Sequence, residues 1–143
     1  MEEVYSLKFV EKKSRFFAHL YSIDDALGIQ EIIKIHRKSY RKANHHCWAL
    51  RVERNWSDRS GSGGEGGGNV IADFKNDGEV GHPGKVLLEL LTKFNAVGYA
   101  LIVSRVFGGI KLGVGGVSRA FRAVGEETLV QWRKSIRDAD PLK

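Results

Sequence analysis

The residues with the clearest capacity for chemistry lie in a glycine-rich segment, Gly108 to Gly116, which reads GGIKLGVGG. A nearly continuous apolar run precedes this segment and an amphipathic stretch follows it, which predicts a turn from a strand into a helix. Backbone N–H groups at such a helix start, with no side chains in the way, form an anion site. The segment is not a Walker A loop, because Lys111 lies in its middle and the Gly-Lys-Ser/Thr ending is missing. The alternative is a tight turn that needs glycine for its backbone conformation.

The charge pattern around this segment favours an anionic ligand. Residues 90 to 125 contain no Asp or Glu although they contain several basic side chains, and the outer face of a predicted helix at 24–42 is also basic. Contacts from Lys and Arg to phosphate supply most non-specific affinity for nucleic acids, so we predict binding of RNA or another phosphate ligand here. The predicted contact residues are Arg105, Gly109, Lys111, Gly113, Gly115, Gly116, Arg119 and Arg122.

Two carboxylates, Asp77 and Glu79, lie on either side of Gly78. They could act in general acid–base chemistry or hold Mg²⁺, since a magnesium site needs only one or two carboxylates besides substrate phosphates. An Asp-Gly pair is also typical of a turn, and a turn is the interpretation that this short motif favours.

The motif His45-His46-Cys47 raises the possibility of a metal or thiolate site. On a strand, alternation directs His45 and Cys47 to one face and His46 to the other. No CxxC or HxxxH spacing occurs, and cysteine is among the most buried residue types, so structural packing is favoured. We predict no metal site, no cofactor and no catalytic residue.

A second glycine cluster, at 61–68, contains a letter-for-letter match to the dinucleotide motif GxGxxG. That motif needs a strand directly before it and a helix directly after it, whereas polar residues precede this cluster and a strand-like run follows it. The sequence therefore predicts a flexible loop at 59–69 within one domain.

Composition limits the class of protein. The 143 residues suffice for one domain with its own hydrophobic core, and the net charge of +6 is modest. The 17 glycines follow no three-residue period, which excludes collagen, and the single cysteine excludes an internal disulfide. The longest run without a charged residue, 94–104, is too short to cross a bilayer. We expect a cytoplasmic protein that has no membrane association.

The candidate residues must be positioned by an alternation of strands and helices. Residues 99–107 are nearly all apolar, which predicts a central strand buried on both faces. The first two strands form a hairpin around residues 11–13, and the tail at 133–143 is predicted to be frayed. The predicted strands are 4–9, 16–21, 44–53, 70–74 and 99–107, and the predicted helices are 24–42, 83–94 and 117–132.

Four motifs, taken in chain order, resemble the N-terminal domain of the Impact/YigZ family. They are Lys13–Ala18, His45–Arg51, Asn76–Glu79 and, most specifically, Arg105–Ala120. The resemblance covers about residues 8–128 and implies the core module alone. It further implies an α+β domain with a mixed, mainly antiparallel sheet and helices packed on one face, similar to the second domain of a small-subunit ribosomal protein.

The chain also departs from the family pattern. The segment after Glu79 is one residue shorter, its proline stands at Pro83, and Val106 and Val114 replace a tyrosine and a polar residue. The resemblance, together with the basic segment, implies a non-enzymatic regulator of translation that binds RNA or the ribosome. Two alternatives stay open, namely a protein-binding regulator of a stress-response translation pathway and an enzyme that acts on a phosphorylated small molecule.

Overall fold

The structure, a computed structural model, describes residues 1–54 and 69–139 of the chain. Most of the predicted flexible loop at 59–69 and the last four residues of the predicted tail lie outside these ranges. The strands are β1 (Glu2–Glu11), β2 (Ser14–Ser22), β3 (His45–Glu53), β4 (Val70–Lys75) and β5 (Tyr99–Val106). The helices are α1 (Gly28–Ser39), α2 (Pro83–Lys93) and α3 (Gly113–Ala139).

The five strands form one sheet in the order β1-β2-β5-β3-β4, and every neighbouring pair is antiparallel. β5 is the middle strand, as its sequence predicts, and its residues Leu101, Ile102 and Val103 are fully buried. The predicted hairpin joins β1 to β2, and its turn contains Lys12 and Lys13, both with positive φ.

The sheet has an apolar surface on each side, because the alternating side chains of its central strands are apolar in both directions. Phe16, Ala49 and Leu101 face α2 and α3, whereas Trp48 and Ile102 belong to a second cluster with α1. The α+β class is therefore confirmed, and the sheet is antiparallel throughout rather than mixed and mainly antiparallel. The expectation that all helices pack on one face holds for α2 and α3 only, since α1 covers the opposite face.

The observed bounds of α1 and α3 differ from the predicted ones at both ends. α1 begins at Gly28 rather than at residue 24, because the Asp25 side chain accepts a hydrogen bond from the Leu27 N–H (2.8 Å) in a preceding turn. α3 continues as an exposed helix through residues 133–139, where the sequence predicts a frayed tail. No helix within the described ranges combines the length and the apolar character that crossing a membrane requires.

A buried polar network fixes α1 to the sheet. His36 is 1% exposed, and its Nδ1 lies 2.8 Å from Ser104 Oγ while its Nε2 lies 3.1 Å from the Tyr21 hydroxyl. The Ser104 hydroxyl also lies 2.7 Å from His46 Nδ1. Burial, together with the neighbouring His19 and His46, lowers the pKa of His36 to about 3. His36 is therefore uncharged at neutral pH, and the hydroxyls on both sides satisfy its two ring nitrogens.

We expect the folded state to lose stability as the pH falls from 6.5 towards 3, because His36 takes up a proton near 6.5 in the unfolded chain but only near 3 in the folded one. The unfolded state binds more protons in this range, so this group lowers the free energy of unfolding by about 1.4 kcal/mol per pH unit. Urea unfolding between pH 7.5 and 4 measures the slope. The variant His36→Gln retains hydrogen-bonding atoms without titrating there, so its slope should be shallower. Identical slopes for the variant and the native chain would contradict the prediction.

Candidate functional site

The glycine-rich segment crosses the end of the sheet between β5 and α3. The Gly108 N–H donates to Ser14 Oγ (3.3 Å), and a Cβ at Gly108 would lie 2.1 Å from the carbonyl of Lys13. Gly109 and Gly113 have φ of 89° and 74°, a conformation that side chains other than glycine's rarely adopt. The segment is thus a tight turn held against the β1–β2 hairpin, and this close approach positions the start of α3.

Six of the eight predicted contact residues lie together on this turn and the first turns of α3. Lys111 is exposed, and the Arg119 guanidinium approaches to 3.1 Å of the position that a Cβ on Gly115 would occupy. Arg122 lies further along α3, where it forms an exposed ion pair with Glu89 of α2 (3.2 Å). The six residues on the turn and the first turns of α3 are Gly109, Lys111, Gly113, Gly115, Gly116 and Arg119.

The position of Arg105 differs from the predicted phosphate contact. Its side chain is only 8% exposed, and Nη1 forms an ion pair with Glu79 Oε2 at 3.0 Å. Nη2 donates to Ser14 Oγ (3.2 Å), and His45 Nε2 lies 3.6 Å from the same Glu79 oxygen. Arg105 therefore ties β5 to the Asp77–Glu79 segment beneath the glycine-rich turn. The burial of Arg105 could not be predicted from the sequence, because an arginine has the same residue type whether it is buried or exposed.

Asp77 and Gly78 form the turn that the sequence favours, with φ of 52° and 75°. The Asp77 carboxylate accepts a hydrogen bond from the His46 N–H (2.7 Å), and its carbonyl accepts one from His45 Nδ1–H (2.8 Å). The carboxylates of Asp77 and Glu79 are thus both engaged by protein groups. Within residues 1–54 and 69–139, no group of three or more His, Cys, Asp or Glu side chains is arranged to hold a metal ion.

Cys47 packs in the core, as the sequence favours. It is fully buried on the face that also carries His45, and its thiol donates to the Asn76 carbonyl (3.1 Å). Burial raises the pKa of this thiol above its ordinary value, and the nearby carboxylates of Glu79 and Asp77 raise it further. A thiol held in its protonated form is a weak nucleophile.

A cavity of about 360 Å³ opens beside the glycine-rich segment, and several of the residues that line it were not among the predicted site residues. Phe107 is 44% exposed and Val114 is 61% exposed at its edges. The only feature of the sequence that could have indicated this cavity is the presence of apolar residues in the glycine-rich segment. The sequence does not show which other segments pack beside them. The lining residues are Asn44, His45, Val80, Arg105, Phe107, Lys111, Leu112, Gly113, Val114 and Val117.

Exposed basic side chains gather at the same end of the sheet. Arg15 lies opposite Val106 in the strand register and lines one groove with residues from the end of α1. Lys12 lines a neighbouring groove with Arg119. We call this surface the basic end, and its members are Lys12, Lys13, Arg15, Lys38, Arg41, Lys42, Lys111 and Arg119. None of them forms an ion pair within the part of the chain that the structure describes.

Comparison with protein families and sequences identifies relatives. The sequence-family model of the Impact N-terminal domain matches residues 12–129 of this chain. The chain is 34% identical over 115 residues to the IMPACT family member YvyE of Bacillus subtilis, covering 80% of this chain and 47% of that protein. It is 39% identical over 118 residues to an IMPACT family member of Thermus thermophilus, covering 82% of this chain and 56% of that protein. The chain thus spans about half the length of these curated relatives.

Two solved structures share the fold. A protein described as hypothetical aligns with a TM-score of 0.73 and 27% identity, covering 92% of this chain and 62% of that one. The two-domain translational regulator Yih1 aligns with a TM-score of 0.55 and 23% identity, covering 91% of this chain and 46% of that one. At 23% identity the second comparison shows the fold alone.

Replacing Glu79 by glutamine should lower the free energy of unfolding by about 3–5 kcal/mol, because Arg105 would be left as a buried charge without its partner. Glu89→Gln, which breaks the exposed pair with Arg122, is the matched control and should cost less than about 1 kcal/mol. Urea unfolding at pH 7 measures both. Equal losses from the two variants would show that the buried pair has no special structural importance.

Gly108→Ala should destabilise the fold by about 3 kcal/mol or more, because the added methyl group would collide with the Lys13 backbone, which cannot rotate away. Gly109 has open space around it, so Gly109→Ala should cost only the strain of its positive φ, about 1–2 kcal/mol. Thermal and urea unfolding compare the two neighbours. A Gly109 variant that is less stable than the Gly108 variant would contradict this account.

Proposed function

The chain belongs to the Impact family, and from this premise we propose that it is a non-enzymatic regulator of translation that binds RNA or the ribosome through its basic end. Yih1, which shares the fold, is a two-domain translational regulator, and this supports the translational role. The observation that carries the proposal is the gathering of eight exposed basic side chains at one end of the sheet, none of which forms an ion pair within residues 1–54 and 69–139. A role in translation also leads us to expect a cytoplasmic location.

The distribution of ion pairs concentrates the available positive charge at this end. Elsewhere in the described ranges, Arg105, Arg122 and Lys93 each pair with a glutamate. The basic-end residues have no such partner there, so their charges remain available to phosphates. Because contacts from Lys and Arg to phosphate displace bound counterions, such a surface binds nucleic acid with a strong dependence on salt.

The start of α3 adds a second source of positive potential. α3 has 27 residues, contains no acidic side chain in its first turn, and begins at Gly113 within the basic end. Its N-terminal N–H groups and helix dipole therefore favour an anion beside Lys111. The glycines at this point keep side chains from covering those groups.

The same surface offers an alternative partner, an acidic protein. Phe107, Ile110 and Val114 are 44%, 42% and 61% exposed next to the basic side chains, and apolar residues within a charged surface are typical of protein interfaces. A partner retained on the immobilised chain after ribonuclease treatment would favour this alternative. Loss of the partner with the RNA favours the proposal.

An enzyme acting on a phosphorylated small molecule has less support. Such an enzyme requires Asp77, Glu79 and Lys111 to converge on one pocket, and of these three residues only Lys111 lines the described cavity. The proposed magnesium ligands Asp77 and Glu79 are also occupied by the His46 N–H and by Arg105. The carboxylates would have to give up buried partners before they could bind a metal.

The double variant Lys111→Gln/Arg119→Gln should weaken binding to a single-stranded RNA and reduce its salt dependence. Each lost phosphate contact lowers the slope of log affinity against log salt by about 0.7, so the expected reduction is about 1.4. Fluorescence anisotropy between 50 and 300 mM salt measures the slope, and purified small ribosomal subunits provide a second ligand.

The double variant Lys134→Gln/Arg137→Gln is the matched control, since it removes the same charges from the opposite end of α3. Fifteen residues of helix separate Arg119 from Lys134, or about 22 Å. The control should retain the native slope. Equal slopes for the two double variants would mean that net charge, and not the basic end, governs binding, and no binding by the native chain would refute the proposal.

A further inference from the structure

We propose that the cavity beside the glycine-rich segment receives one unpaired nucleobase of an RNA strand bound at the basic end. This inference rests on the proposed function and adds a site that reads the base rather than the phosphate. The cavity volume of about 360 Å³ lies within the range of small-molecule sites and exceeds what a single base needs.

The walls of the cavity suit a flat, apolar ligand. Phe107 offers an aromatic ring that is 44% exposed, and Val80, 49% exposed, lines the same cavity. The Phe107 N–H donates to Asn44 Oδ1 (3.0 Å), so the backbone that carries the ring is held in position. Single-stranded RNA is recognised largely by stacking of splayed bases on aromatic side chains, for which a partly exposed, fixed phenylalanine is suited.

The polar groups of the cavity suit the hydrogen-bonding edge of a base. Arg105 lines the cavity, and its guanidinium lies 5.8 Å from the centroid of the Phe107 ring. His45 also lines the cavity, with its Nδ1–H committed to the Asp77 carbonyl, so the ring has a fixed orientation.

Charge complementarity favours a base of an RNA strand over an apolar protein side chain. Lys111 lines the cavity itself, and the approach of Gly108 to Lys13 brings the hairpin turn of the basic end to the same loop. A strand whose phosphates follow these lysines would pass the cavity mouth. An apolar peptide side chain would fill the cavity without using the flanking charges.

The test measures, by fluorescence anisotropy at constant salt, the affinity for a ten-nucleotide single-stranded RNA and for a strand of equal length that lacks all of its bases. The native chain should bind the intact strand about tenfold more tightly, in line with the usual contribution of one stacked base. Phe107→Ala should remove this preference and leave the affinity for the abasic strand unchanged. Ile110→Ala is the matched control, because Ile110 is 42% exposed in the same segment but does not line the cavity.

The outcomes separate this inference from the function on which it rests. Equal affinities of the native chain for both strands, or a Phe107→Ala variant that keeps the preference, would overturn the base site while leaving phosphate binding at the basic end intact. Failure of both strands to bind would refute the proposed function as well. Urea unfolding of each variant shows that a lost preference does not come from a lost fold.

Discussion

The buried ion pair between Glu79 and Arg105 is the interaction on which this end of the molecule depends. Both side chains are more than 90% buried, so their removal from water is costly and requires good geometry in return. Ser14 accepts a second hydrogen bond from Arg105, and the guanidinium lies 5.6 Å from the centroid of the Phe16 ring and 5.8 Å from that of Phe107. The pair thereby joins the hairpin, the middle strand and the Asp77–Glu79 turn.

The same pair determines which charges the surface presents. Glu79 is an acid close to the glycine-rich segment, and an exposed carboxylate there would weaken the positive potential of the basic end. Its burial against Arg105 neutralises both groups, so the potential at the surface comes from Lys111 and the other exposed basic residues. Under the proposed function, Arg105 therefore acts on anion binding indirectly, by removing the competing carboxylate, rather than by contacting phosphate.

Local patterns in the sequence predict the elements well, because they depend on neighbouring residues. The nearly continuous apolar run of β5 predicts a buried central strand, and the apolar stripe of α3 predicts its buried face, which includes Phe121, Val124 and Leu129. Contacts between residues that are far apart in the chain cannot be predicted from such local patterns. That α1 covers the second face of the sheet depends on which strands pair, and a basic letter at position 105 is the same whether the residue is exposed or paired with Glu79.

The cavity shows how such long-range relations follow from small residues and one ion pair. The segment after Glu79 is shorter than in the family pattern, yet Gly81 lies so close to α3 that a Cβ there would be 2.9 Å from the Val114 carbonyl. Only a glycine permits this approach, and the neighbouring Val80 lines the cavity together with Val114. Arg105 fixes the other side through Glu79, so the shortened segment has anchors at both ends. Since the residues that line the cavity share these anchors, the shape of the cavity and the stability of this end of the sheet depend on the same contacts.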